Sequence, residues 1–241
     1  MQIGYKTDIG KVRERNEDNV LVDRKINLFI VADGMGSKSG DIASQMTASV
    51  IDKFLKKKLI KNRKIEILHI IKSAIQKAND EIAFRQAKDE KFSAASTVVL
   101  ALKHSRKVYI ANIGDSRAYL IRNKRIKQLS EDHSYVAWLV KKRKITKAQA
   151  KTHPLRNVVT NLVGNPIDVM PHLTLISWKK NDYLLLCSDG LTKHIGDEEI
   201  KRIILQKKTP QKACNELIQA AIEKGGKDNI SVIVILFDKE M

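Results

Sequence analysis

Two apolar runs in this chain each end in an acid. Leu28-Phe29-Ile30-Val31-Ala32 leads into Asp33-Gly34-Met35-Gly36, and Tyr183-Leu184-Leu185-Leu186-Cys187-Ser188 leads into Asp189-Gly190. Short runs rich in bulky and β-branched residues predict buried strands. An acid that ends such a strand before a tight turn is held rigidly at the sheet edge, and the glycines let backbone approach whatever it binds. One Asp-Gly after a strand is usually a turn. Two of them, each capping an apolar run, point to a shared acidic site.

The pattern elsewhere alternates between helical and strand periods. Met46, Val50 and Phe54 fall on one helical face with Ala43 and Thr47 beside them, and Ser39 or Asp41 suits the N-cap. A second helix is predicted over 65–87, where Ile71, Ile75, Ala78 and Ile82 step by three and four. Short apolar stretches follow at 97–102, 108–113 and 117–121, with 103–107 suited to a hairpin loop and Gly114-Asp115 to a tighter corner. Between 132 and 166 the core pattern lapses. A short helix over 135–140 and a capping-box spacing at Thr146 and Gln149 mark it as a helical excursion, mobile in expectation, broken at His153-Pro154.

Strands return at 173–176 and 183–187, and Asp197-Glu198-Glu199 opens a helix. Thr209-Pro210 supplies an N-cap and a first-turn proline for the last helix, which Gly225-Gly226 stops before a final strand over 230–237. Helices in runs and strands in antiparallel runs predict an α+β fold.

Composition narrows this further. The chain has 241 residues, 43% of them hydrophobic, with no linker, repeat or low-complexity block, so a single domain over 1–241 is expected. The N-terminal stretch is neither a signal nor a transit peptide, and no apolar run reaches membrane-spanning length. Cys187 and Cys214 sit in a predicted strand and helix, as reduced thiols of a cytoplasmic protein do. No coiled-coil or domain-swapping signal is present, and a monomer is expected. The formal charge of +18 is concentrated at Lys56-Lys57-Lys58 with Lys61, Arg63 and Lys64, and at Lys141-Lys142-Arg143-Lys144. No aromatics interleave these residues, so they are read as solvated faces rather than a specific nucleic-acid surface. A positive field still speeds encounter with phosphorylated partners.

The chemistry lies in the acids at element ends: Glu17, Asp18, Asp33, Asp115, Asp189 and Asp228. Several acids in one place repel unless cations balance them, and all-oxygen donors favour Mg²⁺ or Mn²⁺ over Zn²⁺. Arg13, in the same charged loop as Glu17 and Asp18, has a fork suited to phosphate. Other readings are weaker. Gly34-Met35-Gly36 resembles a dinucleotide fingerprint, but Asp33 would face the pyrophosphate and lysines replace the ribose-binding acid. Cys187 and Lys193 have the separation of a cysteine-phosphatase loop, with lysine where arginine is needed. Ser188 has no histidine partner and no preceding elbow glycine.

Eight motifs then occur in order: Arg13-x-x-Asn16-Glu17-Asp18, Val31-Ala32-Asp33-Gly34-Met35-Gly36, Ser96-Thr97, Gly114-Asp115-Ser116-Arg117, Asp132-His133-Ser134, His153-Pro154-x-Arg156-Asn157, Leu186-Cys187-Ser188-Asp189-Gly190-Leu191 and Gly226-Lys227-Asp228-Asn229-Ile230. Together they resemble the bacterial type 2C metal-dependent serine/threonine protein phosphatases, the PPM family, over nearly the whole chain. The resemblance implies a four-layer α-β-β-α sandwich of two antiparallel sheets flanked by helix pairs, with residues 132–166 as a flap. It implies that Asp33 bridges two metal ions, that the Gly34 carbonyl joins one, and that Asp189 and Asp228 ligate the first. Glu17 and Asp18 would hold metal-bound waters or the second ion, Asp115 with Asp189 a third, and Arg13 the phosphate. The implied reaction is hydrolysis of phosphoserine and phosphothreonine by a metal-activated water, opposing a serine/threonine kinase. The alternative is a non-catalytic phosphoprotein-binding module on the same fold.

Three positions depart from the family pattern. Met35 stands where many eukaryotic members carry a histidine regarded as general acid, which leaves the leaving group to water or unassisted. Ser37-Lys38 replaces a glycine and histidine common in bacterial relatives, and Asn161 replaces an arginine in the flap.

Overall fold

A computed structural model describes residues 1–36, 38–61 and 66–238, without the side chain of Lys61. Ser37, Arg63, Lys64 and the expected helix start at Ile65 lie outside the described residues.

The fold is the layered α-β-β-α sandwich that the resemblance implies. One sheet holds β1 (Gln2–Asp8), β11 (Ile230–Leu236), β10 (Tyr183–Cys187), β7 (Arg117–Arg122) and β8 (Arg125–Gln128), in that order. The other holds β2 (Asp18–Asp23), β3 (Leu28–Gly36), β5 (Val98–His104), β6 (Lys107–Ile113) and β9 (His172–Ser177), with β4 (Ala94–Ser96) paired to β3. Every pairing is antiparallel.

Three apolar layers join these parts. Phe29, Val31, Val99, Leu184, Leu186, Ile233 and Ile235 meet between the sheets. Helices α1 (Gly40–Lys61) and α2 (Ile67–Lys88) cover one outer face through Ala43, Ile51, Leu55, Ile71, Ile75 and Ile82. Helices α6 (Asp197–Gln206) and α7 (Pro210–Glu223) cover the other through Ile200, Ile204, Leu217 and Ile218. Each fully buried Leu or Ile contributes roughly 1.5–3 kcal/mol. Ser134 caps α3 (Tyr135–Lys141), Thr146 and Gln149 close a capping box on α4 (Lys147–Thr152), and Thr209 with Pro210 starts α7, as the residue types predict.

Several boundaries differ from the sequence pattern. The α1 face that goes fully inside is Ala43, Thr47, Ala48, Ile51 and Leu55, while Met46, Val50 and Phe54 are only partly buried at its margin. The helix packs against both α2 and β3, so its apolar stripe is wider than one line of residues. Strand β3 does not stop at Asp33. It runs on to Gly36, because its partner changes from β5, paired through Val31, to β4, paired from Gly34. Asp189 likewise opens a short helix, α5 (Asp189–Thr192), rather than a plain turn.

Candidate functional site

The topology gathers the element ends. Asp8 opposes Ile230 across β1 and β11, and Cys187 opposes both Val232 and Arg117. The loop after β1, the start of β11, the end of β10 and the start of β7 therefore share one end of their sheet. In the other sheet Asp18 opposes Asp33. A hydrogen bond ties the sheets together there, since the Ser188 hydroxyl donates to Asp18 Oδ2 at 2.7 Å and accepts from the Ser231 amide at 2.9 Å. Asp18 is the first residue of β2, and its buried position follows from that bond.

Asp33 lies at the pairing changeover. Its amide donates to Thr97 Oγ1 at 3.1 Å and its carbonyl accepts from the Thr97 amide at 2.8 Å, so the backbone is fixed while the side chain stays free of the ladder. Gly34 is required beside it, because a Cβ there would lie 1.9 Å from the Gly40 carbonyl oxygen. The Glu17 carbonyl accepts from the Gly34 amide at 3.1 Å and from Ser44 Oγ at 2.6 Å, which seats Glu17 between β3 and α1. Asn229 holds the loop that carries Arg13: its Oδ1 accepts from the Glu17 amide, and its Nδ2 donates to the Ile9 and Arg15 carbonyls, each at 2.9 Å. Gly190 is required for the same junction, since its Cβ would meet the Asn229 carbonyl oxygen at 2.0 Å.

At the end of the first sheet, Asp228 Oδ1 pairs with Arg13 at 2.9 Å. Lys193 bridges Asp189 Oδ2 at 2.5 Å and Asp228 Oδ2 at 3.0 Å. Asp115, in the turn between β6 and β7, completes the set. The electrostatics bind the group together. Burial raises the Asp33 carboxyl well above its ordinary range, and the negative charges of Asp18, Asp189, Asp115 and Asp228 add to it. Asp18 is pushed up to about 7 by burial, against its serine hydrogen bonds. Asp115 reaches about 7 through burial and then Asp189, with Lys193 opposing. Burial raises Glu17 and Asp189 as well, the latter offset by Lys193.

Two buried carboxylate oxygens in this set, Asp18 Oδ1 and Asp189 Oδ1, have no hydrogen-bond partner. Buried polar atoms are nearly always satisfied, and although Asp52 Oδ1 and His172 Nδ1 are orphans too, those of Asp18 and Asp189 lie within a cluster of mutually repelling acids, where a cation belongs. The donor set is all oxygen, which fits Mn²⁺ or Mg²⁺. Among the described residues no three acidic, His or Cys side chains stand in a ready chelating group, and Asp189 and Asp228 turn to Lys193 and Arg13 instead. A cavity of about 290 Å³ opens elsewhere, lined by residues including Ile121, Asn123, Asp182 and Tyr183, and no candidate acid lines it.

The weaker readings resolve simply. Cys187 is core, and burial pushes its thiol up to about 12. The Ser188 hydroxyl is committed to Asp18 and Ser231 and is no nucleophile. Asp132 forms a bidentate pair with Arg117, which supports the base of the excursion. His133 Nδ1 accepts from the Gly114 amide at 3.3 Å and faces Asn161 Nδ2 at 3.3 Å, so Asn161 serves the excursion's own fold. Ser188, Asn229 and Lys193 are the residues whose roles sequence reasoning missed. The first two lie inside motifs dominated by the acids beside them, Asp189 and Asp228.

Comparison with known proteins decides the family. The family described as protein phosphatase 2C matches residues 11–221. The chain belongs to it. The serine/threonine phosphatase stp of Listeria monocytogenes is similar, 35% identical over 240 residues that cover 98% of this chain and 95% of that protein. The Mycobacterium tuberculosis serine/threonine phosphatase PstP/Ppp aligns with a TM-score of 0.88 at 30% identity, covering 99% of this chain and all of the other (100%). The catalytic domain of PstP, solved in complex with two manganese ions, aligns at 0.87 with 27% identity, covering 99% and 98%. Protein phosphatase 2C membership over this span makes protein phosphatase the activity of the chain, and a non-catalytic binding module is not favoured.

Proposed function

We propose that this protein phosphatase 2C hydrolyses phosphoserine and phosphothreonine at the Asp33 cluster with two Mn²⁺ or Mg²⁺ ions and a third ion beside them. The observation that carries this is the convergence of aspartates from both sheets on Asp33 with Asp18 Oδ1 and Asp189 Oδ1 left unpartnered. In the proposed site Asp33 and the Gly34 carbonyl would hold the ion pair. Asp189 and Asp228 would hold the first ion, Glu17 and Asp18 would serve the second directly or through water, and Asp115 with Asp189 would hold the third. Bound ions would activate water and neutralise the phosphoryl oxygens.

The chain's own residues do the rest. Arg13 is half exposed and ends in a carboxylate pair it can exchange for a phosphate, orienting the phosphorus for in-line attack. Ser188 orients Asp18, and Thr97 with Asn229 fix the backbone on which Asp33 and Glu17 sit. Met35 has no proton to give, so the leaving alkoxide takes its proton from water. Residues 132–166 form the flap beside this site within one domain over 1–241. Phosphorylated proteins are the substrates. A cognate serine/threonine kinase, a cytoplasmic address and a monomeric state complete the proposal. Among the described residues no helix is long and apolar enough to cross a membrane.

The test is phosphate release from a phosphothreonine peptide. Release is expected with Mn²⁺, is lost in EDTA, and is lost in Asp33→Ala and Asp189→Ala. A folded wild-type chain inactive with both Mn²⁺ and Mg²⁺ would refute the proposal.

A further inference from the structure

Lys193 stands one helical turn after Asp189, and its ammonium lies between two acids of the cluster. It is 2.5 Å from Asp189 Oδ2 and 3.0 Å from Asp228 Oδ2, while Arg13 takes the other oxygen of Asp228. Burial works against this ammonium, but Asp189 and then Asp228 outweigh it and keep it charged. Its charge also offsets the burial of Asp115. A lysine therefore supplies positive charge to three of the acids assigned above to metal ions.

Asp189 keeps Oδ1 open, but both oxygens of Asp228 are taken, by Arg13 and Lys193, so a divalent ion held by Asp228 beside Asp189 meets the ammonium at a spacing where like charges repel. The side chain can leave: it is 37% exposed and sits on a flexible four-carbon stem, unlike a planar guanidinium locked in a bidentate pair. We propose that Lys193 is a built-in counter-ion that bridges Asp189 and Asp228 in the metal-free chain and must swing out to solvent when a divalent ion binds there. It stabilises the metal-free acids and weakens metal affinity, so the loaded fraction responds to the free level of divalent ion. The inference rests on the metal-site assignment proposed above.

The experiment is calorimetric titration of the EDTA-stripped full chain with MnCl₂, for wild type, Lys193→Met and Lys193→Arg. Lys193→Met is expected to bind Mn²⁺ roughly tenfold more tightly and to melt lower than wild type in EDTA, while Lys193→Arg, which keeps the charge, stays within about threefold of wild type. If Lys193→Met does not fold without metal, it is purified with Mn²⁺ and the release of Mn²⁺ into excess EGTA is timed; slower release than wild type is the expected result. Equal or weaker binding by Lys193→Met, or equal or faster release, overturns the inference. Wild-type protein that takes up no Mn²⁺ at millimolar concentration refutes the metal-site assignment itself, a distinct outcome.

Discussion

Strand β2 has an aspartate at each end and β10 has one just beyond each end, and the two ends are treated differently. At the far end of β10, Asp182 is buried and fully served: Arg122 grips it with Nε at 2.8 Å and a second nitrogen at 2.5 Å, and the Lys179 amide donates at 2.7 Å. At the near end, Asp189 keeps one buried oxygen without a partner. At the far end of β2, burial opposes the charge of Asp23, but Lys56 and the Lys25 and Ile26 amides outweigh it and hold its carboxyl below the ordinary range. At the near end Asp18 is pushed up to about 7. Asp52, beside Asp23, has an orphan oxygen too, and like Asp189 it holds a lysine with the other, Lys56 at 2.7 Å, so an orphan oxygen alone does not separate the two kinds of acid. Acids that hold the fold together each meet a cation of the chain, Lys56 for Asp23 and Asp52 and Arg122 for Asp182. In the site, among the described residues, Asp18 and Asp33 meet none, and Asp189 and Asp228 share only Lys193 and Arg13, so five clustered acids face two cations, which is how a metal centre differs from a structural ion pair.

The largest effect that sharpens this contrast comes from substituting one acid of each kind. Asp33→Asn should lower kcat on a phosphothreonine peptide by roughly 10³-fold or more, since charge at the reaction centre is removed. Its melting temperature in EDTA should equal or exceed that of wild type, because a repelled buried carboxylate is gone. Asp182→Ala should do the reverse. It strands Arg122, which is 28% exposed, and should cost about 2–3 kcal/mol in denaturant unfolding while kcat per folded molecule is unchanged. A loss of metal-free stability in Asp33→Asn as large as that in Asp182→Ala would erase the distinction.

Next in size is the pH dependence of the metal-free protein. Burial pushes Asp18 and Asp115 up to about 7 in the folded chain, against an ordinary value of 3.8 when unfolded. Between these values the folded state binds more protons than the unfolded state, so stability falls as pH rises. Their contribution is fully present below about 4 and is lost by about 7. Melting in EDTA should therefore give a higher midpoint at pH 5.5 than at pH 7.5 (about the window set by those shifts), and saturating Mn²⁺ should narrow the gap. A midpoint that rises over this interval in EDTA would contradict the charge deficit.

Much of this arrangement was legible in the residues themselves. β10 has the expected bounds, the buried face of α2 is the Ile71, Ile75, Ala78, Ile82 line, and Asp33, Asp189 and Asp228 come together as the apolar runs into or out of them imply. Three features were hidden for physical reasons. β8 is a polar edge strand, half-exposed along its length, with no apolar alternation to betray it. The continuation of β3 past Asp33 depends on β4, a three-residue partner more than fifty positions away, so local pattern shows only the glycines. Lys193 reads as one more surface lysine until α5 turns it back over Asp189 and the chain end brings Asp228 beside it.

The smallest effect tests whether the bond between the sheets serves the site or only the fold. Ser188 is fully buried, and its hydroxyl both donates to Asp18 Oδ2 and accepts from the Ser231 amide. Ser188→Ala leaves that amide unpaired and takes from Asp18 the hydrogen bond that favours its charged form, for a stability loss of about 1–3 kcal/mol in denaturant unfolding. A hydroxyl that merely packs would lower stability equally with and without Mn²⁺. A hydroxyl that orients Asp18 should also raise the Mn²⁺ concentration at half-maximal activity, by roughly the several-fold factor that loss of one charge-assisted hydrogen bond implies. Since Asp23 at the other end of the same strand has no such coupling to the site, Asp23→Asn should lower stability and leave that Mn²⁺ concentration where it was.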